Sequence, residues 1–182
     1  MNSIFFTQAW DQDKKLGKYY NDFMRMLPEG SHGCLMDYDT MFLTNDFGKH
    51  IYEYAKRFPD AVLTCRTNRM HVSNDFQQLG GVDRNNHDIN YHKRIAEERK
   101  NLLYSVTDIS NPPKIKLMGG MLMLVPKSIW QEVGGFKEEG ILDVDNKFHL
   151  SLIAKKKKAL VMEGIYIYHW YRQDGSKKHL LQ

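Results

Sequence analysis

Short apolar runs alternate along this chain with segments whose apolar residues recur at helical spacing. That alternation constrains the fold more than any other feature. SIFFTQA at 3–9, the run at 32–37 and AVLTCRT at 61–67 read as strands. Between them, Leu16, Tyr20, Phe23, Met24 and Leu27 share one helical face, and Phe47, Ile51, Tyr54, Ala55 and Phe58 share another. Further on, the pattern predicts a helix over about 89–104 and a strand over about 115–125. A short helix capped by Ser128 and ended by Gly134-Gly135 comes next, then a helix over about 143–157 and a last strand in ALVMEGIYIYHWYR. Strands alternating with helices predict an α/β fold whose sheet is mostly parallel, with ligands at the C-terminal strand edge.

The 182 residues suit one domain with a real core. Hydrophobic residues make up 42% and charged residues 26%, which excludes disorder as the main state. No apolar run is long enough to cross a membrane, and the first residues lack a signal-peptide pattern. Cys34 and Cys65 form no metal or redox motif, which predicts buried, reduced thiols and a cytoplasmic protein. The net charge of +4 is compatible with anionic ligands such as nucleotides. Lys155–Lys158 is the densest basic feature; it reads as a solvated helix end or, alternatively, as a nucleic-acid contact. Residues 68–93 are rich in Asn, Asp, His, Gln and Gly and predict a long loop, acceptor-facing or lid-like; its histidines lack zinc-site spacing.

The run CLMDYDTMFL places Asp37 and Asp39 at the end of a predicted strand. In extended backbone, residues i and i+2 face the same side, so the two carboxylates repel each other unless a cation lies between them. Oxygen ligands of this kind suit Mg²⁺ or Mn²⁺ holding a diphosphate. Taken alone, the short and common D-x-D spacing is better explained by a solvated turn.

Its company decides between these. DKKLGKYYNDFM precedes the pair; LMGGMLMLVPKSIWQEVGGF, LDVDNKF and YIYHWYR follow in that order. In this order the segments resemble the nucleotide-sugar glycosyltransferases of the GT-A fold, especially glycosyltransferase family 2. The resemblance implies a Rossmann-like single domain with a mixed, mostly parallel sheet flanked by helices. Its donor and metal half would span about 1–67, its flexible loop 68–93 and its acceptor half about 94–175. Two departures stand out. Only 36 residues precede Asp37, so the family's longer base-binding β-α-β unit is shortened or absent. The acidic "ED" motif reads Leu142-Asp143.

The resemblance implies sugar transfer from a nucleotide-diphosphate sugar to an acceptor hydroxyl, with inversion. Asp37, Asp39 and His169 would hold Mn²⁺ or Mg²⁺; His169 would otherwise contact the diphosphate or pack among its aromatic neighbours. Asp143, with Asp145 as rival, would be the general base. Thr7, Gln8, Lys15, Asn21, Tyr38 and Arg172 are the candidate donor contacts. Arg66, Asn68, Arg69, Gly119, Gly120 and Trp130 are the candidate acceptor or sugar contacts, with a β-bulge as the other reading of the glycine pair. The acceptor would be a glycan or glycolipid; a hydroxymethylated base of viral DNA is the alternative. A further alternative is a non-catalytic nucleotide- or glycan-binding module.

Overall fold

The computed structural model describes residues 3–9, 14–70, 76–112, 117–140 and 143–170. The element order is β1 (Ile4–Ala9), α1 (Leu16–Met26), β2 (His32–Asp37), β3 (Thr40–Phe42), α2 (Phe47–Arg57) and β4 (Ala61–Thr67). There follow α3 (Ile89–Arg99), a 3₁₀ turn (Lys100–Leu102), β5 (Val106–Asp108), β6 (Leu122–Pro126), α4 (Lys127–Val133), α5 (Val144–Ala154) and β7 (Lys158–His169).

The strands form one sheet in the order β1-β2-β6-β4-β7-β3, with β5 also paired to β7. β1 runs parallel to β2, and β4 parallel to β7. The pairs β2–β6, β4–β6, β3–β7 and β5–β7 are antiparallel. The sheet is mixed and flanked by helices, as expected, but among the described strands two pairings are parallel and four antiparallel, so the expectation that it is mostly parallel is corrected. Inserting β6 between two parallel strands, in the opposite sense, is the main cause. The short strands β3 and β5, invisible in the hydrophobic pattern, supply the remaining antiparallel pairs. β6 also begins at Leu122, later than the predicted strand, and Ser128 lies inside α4 rather than capping it, since Pro126 holds the cap position. Gly134 closes α4 in the left-handed conformation, as its sequence position predicts.

Helices cover both faces. Leu35, Val62, Met123 and Val161 pack with α1, α4 and α5 on one side. Cys34, Met36, Leu63, Leu122 and Leu124 pack with α2 on the other. Burial on both faces explains why β2, β4 and β6 read as continuous apolar runs rather than alternating ones. Both cysteines are buried and free. Among the described residues no helix is long and apolar enough to cross a membrane. In the lysine run, Lys155 and Lys156 are exposed beyond α5, and Lys157 forms an ion pair with Glu132.

β7 has two tasks, and a bulge divides them. Its partners on β4 step from Cys65↔Met162 to Arg66↔Tyr166, so Glu163, Gly164 and Ile165 are extra residues. Before the bulge β7 pairs with β5; after it, with β3. The Glu163 carboxylate anchors the irregularity. It accepts from Arg66 Nε at 2.9 Å, from Arg66 Nη2 at 2.5 Å and from Thr107 Oγ1 at 2.5 Å, and it pairs with Arg99. Arg99 Nε also donates to the Glu163 carbonyl at 2.8 Å. A Cβ at Gly164 would lie 2.6 Å from Leu103 Cα, so only glycine lets the bulge pass beneath that turn.

Removing one partner from a buried charge network leaves the others uncompensated. Glu163→Ala removes the carboxylate shared by Arg66 and Arg99, while Arg66 keeps the Phe76 carbonyl and Arg99 the carbonyl of residue 163; it is expected to lower stability by about 1–3 kcal/mol. Chemical denaturation measures this; a loss under about 1 kcal/mol, the range of exposed pairs, would contradict the anchoring role.

Candidate functional site

The ladders bring the C-terminal ends of β1, β2, β4 and β7 to one edge, together with the start of β6. Asp37 is the last residue of β2, and Tyr38-Asp39 form the turn into β3. The turn, rather than the strand pleat expected from i, i+2 spacing, sets the two carboxylates together. β3 then pairs with the end of β7, placing Thr40 opposite His169. Ligand atoms of Asp37, Asp39 and His169 all lie within 4.8 Å of one another.

Each part of this cluster is held by its neighbours. Gln8 Nε2 donates to the carbonyls of Asp37 at 3.1 Å and Thr40 at 2.6 Å. Thr40 Oγ1 donates to the Asp37 carbonyl at 2.7 Å. Asn68 binds the His169 backbone twice: its Oδ1 accepts from the His169 amide at 2.8 Å, and its Nδ2 donates to the His169 carbonyl at 3.2 Å. His169 Nδ1 lies 2.9 Å from the Arg69 carbonyl, an acceptor, so Nδ1 carries the proton in the neutral ring. The Nε2 lone pair then faces Asp39, whose Oδ1 is 3.3 Å away. That arrangement fits a ligating imidazole oriented through its other nitrogen.

Asp37 is pushed up to about 7, mainly by burial; His169 opposes the shift, while Asp39 and Asp145 add to it. Asp145 is also raised, first by burial, against hydrogen bonds from the backbone. Its Oδ2 accepts from Gly120 N at 2.6 Å and its Oδ1 from Asn146 N at 2.8 Å. A Cβ at Gly120 would come within 3.2 Å of Asp145 Cβ, so the glycine admits the carboxylate. Asp143 differs. It is exposed at the α5 cap with φ +65°; its carbonyl accepts from Lys147 N at 2.9 Å, and among the described residues its carboxylate accepts from Asn146 Nδ2 at 3.4 Å. The Tyr20 hydroxyl is buried without a hydrogen-bond partner among the described residues. Burial first, then Asp37 and Asp145, hold that phenol well above its usual range, which places it behind both carboxylates. Two carboxylate oxygens and one imidazole nitrogen make a donor set that a divalent cation fits.

Other candidates are placed differently from one another. Thr7 is partly buried on β1, Tyr38 is exposed on the turn, and Lys15 opens α1 without a capping bond. Asn21 and Trp130 meet each other: Trp130 Nε1 donates to Asn21 Oδ1 at 2.9 Å, as does Phe136 N at 2.8 Å. Asn21 Nδ2 donates to the Phe136 carbonyl at 2.9 Å. These two side chains lock the W-x-x-V-G-G-F segment onto α1. Arg66 is engaged by Glu163, and Gly119 is bracketed by Gln77, which donates to its carbonyl at 3.1 Å and accepts from its amide at 2.7 Å. Arg172 lies outside the described residues, as does the basic tail. Tyr20 and Gln77 carried no functional signal in the sequence: one sits on a core stripe, the other in a polar loop.

No protein-family model matches the chain, and no curated protein matches it.

The Asp37 shift has a measurable sign. A carboxyl raised from 3.8 to about 7 on folding costs stability once ionised, and that cost grows as pH climbs through this window. In metal-free buffer, Asp37→Asn is therefore expected to melt above wild type at about pH 8 and to lose that advantage near pH 4. Mn²⁺ should raise the wild-type melting temperature at pH 8 and leave the variant's nearly unchanged. Identical metal-free melting curves at pH 8 would refute the burial of this carboxylate.

Proposed function

We propose that this chain is a metal-dependent glycosyltransferase of GT-A type, moving a sugar from a nucleotide-diphosphate donor to an acceptor hydroxyl. One observation carries the reading: a carboxylate–carboxylate–imidazole cluster and a further partly buried carboxylate, Asp145, meet at one edge of an α/β sheet. The order of the motifs along the chain supports it, and so does the helix-covered mixed sheet.

Three demands define the chemistry. The leaving diphosphate must be neutralised, the acceptor proton removed and the reacting atoms aligned. A divalent cation held by Asp37, Asp39 and His169 would act as Lewis acid and template for the diphosphate. Gln8 and Thr40 fix the turn that presents the two aspartates, and Asn68 with the Arg69 carbonyl fixes the imidazole.

Asp145 is the better-placed base. It is partly buried, it is held by two backbone amides, and its raised pKa makes it a stronger proton acceptor than a solvated carboxylate. Asp143, the sequence's first choice, is exposed at the helix cap. As Asp145 takes the hydroxyl proton, the acceptor oxygen bonds to the anomeric carbon and the bond to the diphosphate breaks. Attack opposite the leaving group inverts that carbon.

A nucleotide-sugar hydrolysis screen with Mn²⁺ and Mg²⁺, reading released nucleoside diphosphate, tests the reading. Asp37→Ala and Asp39→Ala should abolish turnover, and EDTA should do the same. Asp145→Asn should cut transfer by about 10²–10⁴-fold, the usual worth of a general base, and Asp143→Asn by far less. Undiminished activity in EDTA would refute the metal role; the reverse ranking of the two variants would return the base to Asp143.

A further inference from the structure

Trp130, the tryptophan expected to face an acceptor, is committed to Asn21. Trp170 is not. It follows directly on His169, and its backbone amide donates to the Asp39 carbonyl at 2.9 Å, so it is tied to the carboxylate cluster. Ile165 to His169 are all buried, yet Trp170 is 43% exposed. Its indole is nevertheless supported from behind. The His87 ring lies 5.0 Å away at 41°, and Tyr168 presents an edge at 6.3 Å and 71°. His87 is itself fixed, with Nδ1 2.7 Å from the hydroxyl of buried Tyr168. An exposed ring with a built support costs little entropy to bind against.

We propose that Trp170 and His87 form a carbohydrate-stacking subsite beside the carboxylate cluster, and that it receives the acceptor's sugar ring. The apolar C–H face of a pyranose matches an indole face, and a sugar also needs hydrogen bonds at its rim. His87 Nε2, without a partner among the described residues, is placed to supply one. Nucleic acid fits less well where the platform adjoins the Asp37–Asp39 pair through the Trp170 amide, since those carboxylates repel a phosphate backbone. The acceptor assignment rests on the glycosyl-transfer reading; the stacking site does not.

The full chain, labelled with 5-fluorotryptophan, gives three ¹⁹F resonances assignable through Trp10→Phe, Trp130→Phe and Trp170→Phe. Titration with maltotriose, cellotriose, chitotriose and mannotriose at millimolar concentration should shift the Trp170 resonance with at least one of them and leave Trp130 in place. His87→Ala should weaken that binding about tenfold, the loss expected for one hydrogen bond or stacked ring. A Trp170 resonance unmoved by all four sugars overturns the proposal, as does one moved only by oligo(dT) or only by nucleoside diphosphate with Mn²⁺. Absent donor hydrolysis in wild type would sink the transfer reading while leaving a sugar-induced shift standing. Intact hydrolysis with a silent Trp170 would sink the platform alone.

Discussion

The partly buried Glu163 carboxylate and the two arginines around it govern the geometry of everything downstream on β7. Without the three-residue bulge they stabilise, β7 would stay in the register with β4 set at its start. His169 would then fall at a different distance from the end of β2. A charge network far down the strand thus sets where an imidazole meets two aspartates. The network is costly to desolvate, and its worth lies in fixing one register rather than in adding stability.

The sheet edge shows the opposite electrostatic condition. Glu163 is surrounded by cations; Asp37 is surrounded by burial, Asp39 and Asp145, with only His169 opposing. One carboxylate is satisfied by the fold and the other is not. Native proteins keep such unsatisfied charge where function requires it. The buried Tyr20 hydroxyl behind the pair belongs to the same condition.

Much of this was legible in the sequence because periodicity reports burial. α1, α2, α3 and the central strands follow from apolar spacing, and Gly134 from its place after the last helical turn. The Asp37, Asp39 and His169 constellation followed from motif order. The misses share a cause: they depend on partners distant in the chain. β3 and β5 are three residues each and exist because β7 offers them an edge. The antiparallel sense of β6 leaves no trace in composition. Gln8, Asn21, Asn68 and Trp130 were recognisable as special, but their bonds to Thr40, Phe136, His169 and Asn21 are long-range. Local pattern could not distinguish a side chain that touches substrate from one that braces the residue that does.

The Gln8 amide has a consequence of a different kind. β1 is the outer strand of the sheet, and its only sheet neighbour among the described strands is β2. Outer strands are the segments that open first in native-state fluctuations. Yet this strand's side chain grips the loop that presents both aspartates. Order at the periphery and occupancy at the centre are therefore a single linked equilibrium. Whatever binds the aspartates must also slow hydrogen exchange in β1, and whatever secures β1 must, by reciprocity, tighten the grip on that ligand.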